Sequence, residues 1–333
     1  MIRWLSEAWY NGAWLCRLLL PLSWVYGVLA WRRRRQLLLN LAWRARVPVI
    51  IVGNITVGGT GKTPVCLALA QYFTAHGTRV VLVSRGYGGH AAQYPLLVTA
   101  DSDPAQAGDE AVLLARVSGC AVVVDPDRVR AAKVAEQQLQ AQLIISDDGL
   151  QHYALARTVE IAVIDGARGL GNGFLLPAGP LRESAERLQT VNYVVINGAL
   201  QQTLPVQPAT LINLQIRAGA LVNLLSGERQ SPQLWLQHHK PRPRIHAVAG
   251  IGNPARFFTS LQQLGFVIIP HAFADHHAYQ ADDLDFGDAL PVVMTTKDAV
   301  KCQRFAQTHW WALEVEAVLP ANFFVSIEQM VFA

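Results

Sequence analysis

The chain is poor in the residues that most readily announce special chemistry. It has four cysteines, Cys16, Cys66, Cys120 and Cys302. None forms a CxxC pair and none stands near a histidine at metal-ligand spacing. That excludes a zinc-ribbon or thioredoxin-like motif and leaves small buried thiols in a reducing compartment. Charge is scarce as well, at 16% of residues against 51% hydrophobic. This balance is apolar for a soluble protein but too charged for a polytopic membrane protein. At 333 residues, one large domain or two can bury a core that needs no covalent staple. The net charge of +4 is modest. The positive charge is not interleaved with stacking aromatics, so no nucleic-acid partner is expected. No internal repeat or low-complexity tract is present. The turn AGIGNP (Ala249–Pro254) lacks the third glycine of a dinucleotide fingerprint and reads as a tight strand–helix turn.

What is present concentrates first at the amino terminus. Trp14–Trp31 reads WLCRLLLPLSWVYGVLAW, about long enough to cross a bilayer. Arg17 lies inside the run, Pro21 would kink it, and Trp4, Trp9, Trp14 and Trp24 belong to the lipid interface. The favoured expectation for residues 1–40 is therefore a membrane-associating interfacial helix. A single span and a helix packed only on protein are the alternatives. Arg32, Arg33, Arg34 and Arg35 follow as one block, expected to face anionic lipid and to keep the remainder cytoplasmic. No small-residue cleavage site follows, so a secretory signal is not expected.

The second concentration is the stretch ITVGGTGKTP, Ile55–Pro64. Before it runs Val47–Val52, β-branched and apolar, a buried strand. After it Pro64–Phe73 carries apolar residues at helical spacing. A glycine-rich loop between a strand and a helix is the context a P-loop requires. Backbone N–H groups of Thr56, Val57, Gly58, Gly59, Thr60 and Gly61 are expected to wrap phosphate at the positive end of the helix. Lys62 would reach the β- and γ-phosphates of ATP, and the Thr63 hydroxyl would ligate Mg2+. Thr56 stands where the usual motif has glycine. Leu143–Asp148, LIISDD, is an apolar strand ending in two carboxylates, the Walker B pattern that would add Asp147 or Asp148 to the metal.

Strand-like runs at Val47–Val52, Arg79–Ser84, Ala121–Val124, Leu143–Ser146, Glu160–Ile164 and Tyr193–Ile196 alternate with amphipathic stretches, including Glu110–Val117 and Arg128–Leu139. This predicts an α/β fold: a P-loop NTPase-like parallel sheet flanked by helices over 41–210. Residues 210–235 read as two or three connector strands. A smaller α/β lobe over 211–333 then carries strands at His246–Gly250, Val267–Pro270, Val292–Thr295 and Trp311–Val315 and a helix at Ala255–Leu264.

Seven motifs together resemble one family: GNITVGGTGKTP, SRGYGG (Ser84–Gly89), GDEAVLLA (Gly108–Ala115), SDDGLQH (Ser146–His152), GNGFLLPAGPLRE (Gly171–Glu183), FADHHAY (Phe273–Tyr279) and TTKDAVK (Thr295–Lys301). Their ordered set is similar to the tetraacyldisaccharide 4'-kinases of lipid A synthesis in Gram-negative bacteria. The resemblance implies transfer of the ATP γ-phosphoryl group to the 4'-hydroxyl of a tetraacylated glucosamine disaccharide 1-phosphate, giving lipid IVA at the cytoplasmic face of the inner membrane. No obligate protein partner is implied. It assigns Asp109 as catalytic base with His276 as its partner from the second lobe, although the adjacent His277 remains open. It adds Glu183 or Glu110 to the metal set with Thr63, Asp147 and Asp148, and places Arg85, Gln151, His152 and Arg182 around substrate phosphates or the acceptor. His276 is expected to meet Asp109 when the lobes approach. Two other functions fit the P-loop alone: an ATPase acting on a protein or metallochaperone target, and a nucleotide-controlled membrane-binding module.

Overall fold

The computed structural model describes residues 7–39, 42–208, 210–238 and 243–332. Trp4 lies outside them. A short 3-10 turn leads into helix α1 (Leu20–Leu39), the apolar amino-terminal segment. Strand β1 (Val49–Gly53) feeds the glycine-rich loop and helix α2 (Lys62–Ala75). There follow β2 (Val80–Ser84), β3 (Leu96–Val98), α3 (Asp109–Ser118), β4 (Ala121–Val124), α4 (Arg128–Gln137), β5 (Leu143–Asp147), β6 (Val159–Asp165) and β7 (Tyr193–Asn197). The second half comprises β8 (Leu211–Asn223), β9 (Arg229–Gln230), α5 (Pro232–His238), β10 (Arg244–Ala249), α6 (Pro254–Gln263), β11 (Val267–Ala272), β12 (Val292–Thr295), α7 (Thr296–Cys302), β13 (Trp310–Val318) and α8 (Ala321–Val331).

The strands form one continuous sheet in the order β3-β4-β2-β5-β1-β6-β7-β8-β13-β12-β10-β11, with β9 on β8. The near-continuous apolar runs of β1, β2, β5 and β7 are buried on both faces, as parallel strands covered by helices must be. One hydrophobic core lies on each face of the first half, built around Leu69 and Leu114 on one side and Ile51 and Ile144 on the other. Two smaller cores flank the second half, centred on Trp235 and Trp310.

Residues 210–235 hold two strands, of thirteen and two residues, within the two or three expected, and then enter a helix that was not expected. The amino-terminal part of β8 pairs in parallel with β7, and the rest pairs antiparallel with β13. Opposite Leu313–Val315 of β13, β8 carries one extra residue, a bulge at Gly219–Ala220, and its buried positions pass there from Ile212 and Leu214 to Leu221 and Asn223. The chain's last helix, α8, packs Phe323, Ile327 and Val331 into the core of the first half. The spacing of four sets these side chains on one stripe. The carboxyl terminus therefore fastens the two halves together.

Helix α1 lies along the first half. Ser23 Oγ donates to Leu175 O and accepts from Ala178 N, both at 2.9 Å, and Tyr26 donates to Arg182 O at 3.1 Å. A side chain at Gly27 would meet Leu175 Cδ1 at 2.9 Å, so glycine permits this close approach. The outward face leaves Leu22, Trp24, Val25 and Val28 exposed. Trp14–Leu39 has a mean hydropathy of 1.3 in its most apolar window, long and apolar enough to cross a membrane.

Candidate active site at the P-loop cleft

The carboxyl ends of β1, β5, β6 and β7 open on a cleft of about 2040 Å³ between the two halves, with Lys62, Asp148 and His276 among its walls. β1 and β5 are adjacent, with Val52 opposite Asp147, so the phosphate loop and both aspartates emerge side by side. Gly58 and Gly61 adopt left-handed conformations, φ 102° and 97°, which turn the loop into α2. Gly61 is fixed for a second reason. A Cβ there would lie 2.5 Å from Asn197 Nδ2, at the end of β7. That amide donates to Thr60 O at 3.0 Å and, through Oδ1, accepts from Arg256 of α6 at 2.7 Å. Arg168 donates to Gly59 O, a further hold on the loop. Thr56 forms an isolated antiparallel bridge with Leu181, and Val57 N donates to Pro180 O at 2.8 Å. The loop thus rests on the GNGFLLPAGPLRE segment, against which α1 also packs.

Lys62 Nζ is 3.5 Å from Asp148, and Arg182 Nη1 reaches both oxygens of the same carboxylate at 3.1 and 3.2 Å. Burial opposes ionisation of Asp148, but Lys62 and Arg182 overcome it and pull the carboxyl down to about 2. Asp147 has the opposite environment. It is 1% exposed, and its only side-chain hydrogen bond among the described residues comes from the Cys66 thiol at 3.7 Å. Burial, then Glu110 and Asp148, push its pKa up to about 7 against the pull of Lys62. A buried carboxylate beside the loop without a close cationic partner suits a divalent ion, and the Thr63 side chain lines the same cleft.

Asp109, 5% exposed, opens α3 and is aimed by the loop before it. Gly108 has φ 86°, and a Cβ on it would lie 2.7 Å from Tyr87 O. The SRGYGG segment therefore packs backbone to backbone against residues 106–108. His276 Nδ1 is 3.1 Å from each Asp109 oxygen. His276 has φ 61°, a left-handed conformation uncommon for a side-chain-bearing residue and one that concentrates at functional sites. His277 points elsewhere, with Nε2 3.1 Å from Asp283. The geometry therefore separates two adjacent histidines that the sequence left open, and the Asp109–His276 contact is made in this conformation. Burial would raise the Asp109 pKa, but His276, Lys297 and Lys301 lower it below the usual carboxylate range.

The remaining expected residues divide into groups. Arg85 is exposed at the cleft wall. His152, also in the wall, is held neutral with a pKa down to about 4 by burial and by the charges of Arg128 and Arg85. Glu183 is engaged on both oxygens, accepting from Tyr153 and from Gln151 at 3.0 Å. Glu110 accepts from Lys297 at 3.0 Å. Among the described residues no group of three or more His, Cys, Asp or Glu forms a ready-made metal nest. Of the arginine block, Arg33 and Arg34 border the cleft, Arg34 lying over the Tyr153 ring at 5.4 Å. These two of the four arginines expected to face lipid thus stand at the mouth of the cleft. Asn197, Arg256, Arg168 and Lys297 were not singled out from sequence. Lys297 lies in the TTKDAVK motif, which gave a signal without a role.

The tetraacyldisaccharide-1-P 4'-kinase family model matches residues 15–331. Tetraacyldisaccharide 4'-kinase of Ectopseudomonas mendocina is 49% identical over 323 residues, covering 96% of this chain and 94% of that protein. The enzyme of the same name from Pseudomonas aeruginosa PAO1 is 48% identical over 324 residues, covering 97% and 95%. Among solved structures, LpxK from Aquifex aeolicus in complex with ATP superposes with a TM-score of 0.78 at 27% identity, over 95% of this chain and 99% of that one. With its P-loop, paired aspartates and aspartate–histidine contact around one cleft, the chain belongs to the tetraacyldisaccharide 4'-kinase family.

Proposed function

We propose that this protein transfers the γ-phosphoryl group of ATP to the 4'-hydroxyl of a tetraacylated glucosamine disaccharide 1-phosphate, giving lipid IVA in lipid A biosynthesis. The observation that carries the reading is the convergence of two charged sets on one cleft: Lys62 with Asp147 and Asp148 from the first half, and Asp109 with His276 across the two halves. A sugar hydroxyl needs a base, and Asp109, held ionised, accepts its proton as the oxygen bonds to phosphorus and ADP departs. Lys62 offsets charge on the transferred group. Thr63, Asp147 and Asp148 would hold Mg2+, which supplies charge neutralisation at the phosphates when bound. Glu183, already accepting from Tyr153 and Gln151, would join them through a remaining lone pair. Arg85, Arg182, Gln151 and His152, with Arg33 and Arg34 of α1, are assigned to the acceptor's sugar and phosphate, which guanidinium forks match.

The functional division is an amino-terminal segment (1–40), a P-loop core (41–210) and a smaller lobe (211–333) whose last helix returns to the core. Helix α1 is docked along one side, so a lipid-surrounded span is disfavoured. It lies on the cytoplasmic face of the inner membrane with its outer face in the acyl region, beside an acceptor anchored in the same leaflet. The test is Asp109→Asn under single turnover. A loss of transfer of at least 100-fold, with ATP binding unchanged, is expected. Transfer at the wild-type rate would overturn the assignment of the base.

A further inference from the structure

Lys297 sits at the amino end of α7, and its ammonium is enclosed by three acceptors. It is 3.0 Å from Glu110 Oε1, 3.2 Å from His276 Nε2 and 3.4 Å from Asp275 Oδ1. A lysine ammonium carries three protons and no acceptor. Three partners at these distances use all three protons, and the carboxylates of Glu110, Asp109 and Asp275 keep the group charged. An imidazole nitrogen facing such an ammonium at 3.2 Å has to present a lone pair, since a second N–H there would oppose donor to donor. His276 Nδ1 faces the two oxygens of Asp109 at 3.1 Å each. One ring nitrogen is thus turned to a donor and the other to an acceptor.

We infer that Lys297 is a positioning residue that fixes His276 as the Nδ1–H tautomer, so that the histidine orients the Asp109 carboxylate and does not relay its proton. This rests on the kinase reading above and deepens it. The carboxylate nearest Nε2, Asp275 Oδ1, is 3.9 Å away, beyond hydrogen-bond distance, and the other groups around the ring agree. Asp109 accepts on one side, Lys301 adds positive charge 3.9 Å from the same carboxylate, and Tyr87 packs its ring against the imidazole at 4.9 Å. Asp275 and Glu110 hold Lys297 in place from the loop before His276 and from α3. The consequence for the reaction is specific. The acceptor hydroxyl proton passes to Asp109 as the new P–O bond forms and the bond to the ADP oxygen breaks. It then leaves Asp109 for solvent after product departs, because neither nitrogen of His276 has room for it.

The experiment has a spectroscopic arm and a kinetic arm. The full chain, 15N-labelled at histidine and held in detergent micelles with a non-hydrolysable ATP analogue, is compared with His276→Gln to assign the ring. The expected result is a protonated Nδ1 and an unprotonated Nε2. A ring protonated on Nε2, or on both nitrogens, overturns the inference whether or not the protein is active. In the kinetic arm, Lys297→Met lowers kcat at least 30-fold with the KM for ATP within about threefold, and Lys297→Arg, which still donates, recovers most of that loss. Equal losses in both variants, or a parallel rise in KM, would mark Lys297 as structural and sink the proposal. If Lys297→Met does not fold, the wild-type tautomer decides alone. Failure of the wild-type enzyme to phosphorylate a lipid disaccharide would instead sink the acceptor assignment and leave the tautomer result standing.

Discussion

Replacement of Asn197 by alanine gives the sharpest test of how the phosphate loop is held. The native amide makes two bonds: it donates to Thr60 O at 3.0 Å and accepts from the Arg256 guanidinium at 2.7 Å. Thr60 is 2% exposed, so its carbonyl would lose a partner that water cannot readily replace. A buried acceptor left unpaired costs about 1–3 kcal/mol. A loop free to rotate at Thr60–Gly61 misdirects the N–H groups that should meet phosphate, and a loss of about 1.4–2.8 kcal/mol is a 10- to 100-fold rise in the Kd for ATP. Arg256→Ala removes only the second bond and leaves the amide on Thr60, so about 3- to 10-fold is expected, about 0.7–1.4 kcal/mol and within the net range of an ordinary hydrogen bond. Because Arg256 acts through Asn197, the two losses should not add: the double variant should bind ATP about as weakly as Asn197→Ala alone. Calorimetric titration with a non-hydrolysable analogue measures all three. Additive losses, or an unchanged Kd in Asn197→Ala, would refute the idea that the second lobe steadies the phosphate loop through this side chain.

Three further outcomes follow from particular contacts. Asp147 binds its proton more tightly folded than unfolded. This group's contribution to stability therefore falls as pH rises from about 4 through about 7 and stays low above that. Asp147→Asn should raise the melting temperature of magnesium-free protein at pH 8 and abolish the further rise given by Mg–ATP; a lowered melting temperature without magnesium would contradict the burial argument. Gly108→Ala meets Tyr87 O at 2.7 Å in a left-handed position, so Asp109 should shift and kcat fall about 100-fold while ATP binding is kept. Wild-type turnover there would show that the turn does not aim the carboxylate. Leu22→Ser with Val25→Ser removes two exposed side chains, each contributing about 1.5 kcal/mol or more if inserted in acyl chains, so sedimentation with anionic vesicles should weaken at least 10-fold. Unchanged vesicle binding would mean that another surface meets the bilayer.

The first half of the fold was legible because its signals are local. An apolar run, a glycine loop and a lysine–threonine pair place a strand, a turn and a helix within twenty-odd residues, and β1 and α2 appear there with ends shifted by one or two positions. The two aspartates were readable for the same reason, as the terminus of one strand. The connector was not. Whether LINLQIRAGALVN is one strand or two depends on its partners, and those are β7 on one side and β13, about a hundred residues later, on the other. Nor did sequence alone separate His276 from His277, since both lie in one short loop and only the partners Asp109 and Asp283 distinguish them. Asn197 and Arg256 gave no signal at all. An asparagine ending a strand and an arginine in the first turn of a helix are ordinary residues until the sheet brings them over Gly61.

The central claim is that the phosphate cradle serves a lipid acceptor. It is tested most directly by incubating the purified chain in detergent with Mg–ATP and a tetraacyl glucosamine disaccharide 1-phosphate, and resolving the lipid by mass, with Lys62→Ala alongside. The expected product is heavier by one phosphoryl group, carried at the 4' position, and absent with Lys62→Ala. An unmodified lipid beside an enzyme that still binds ATP would contradict it.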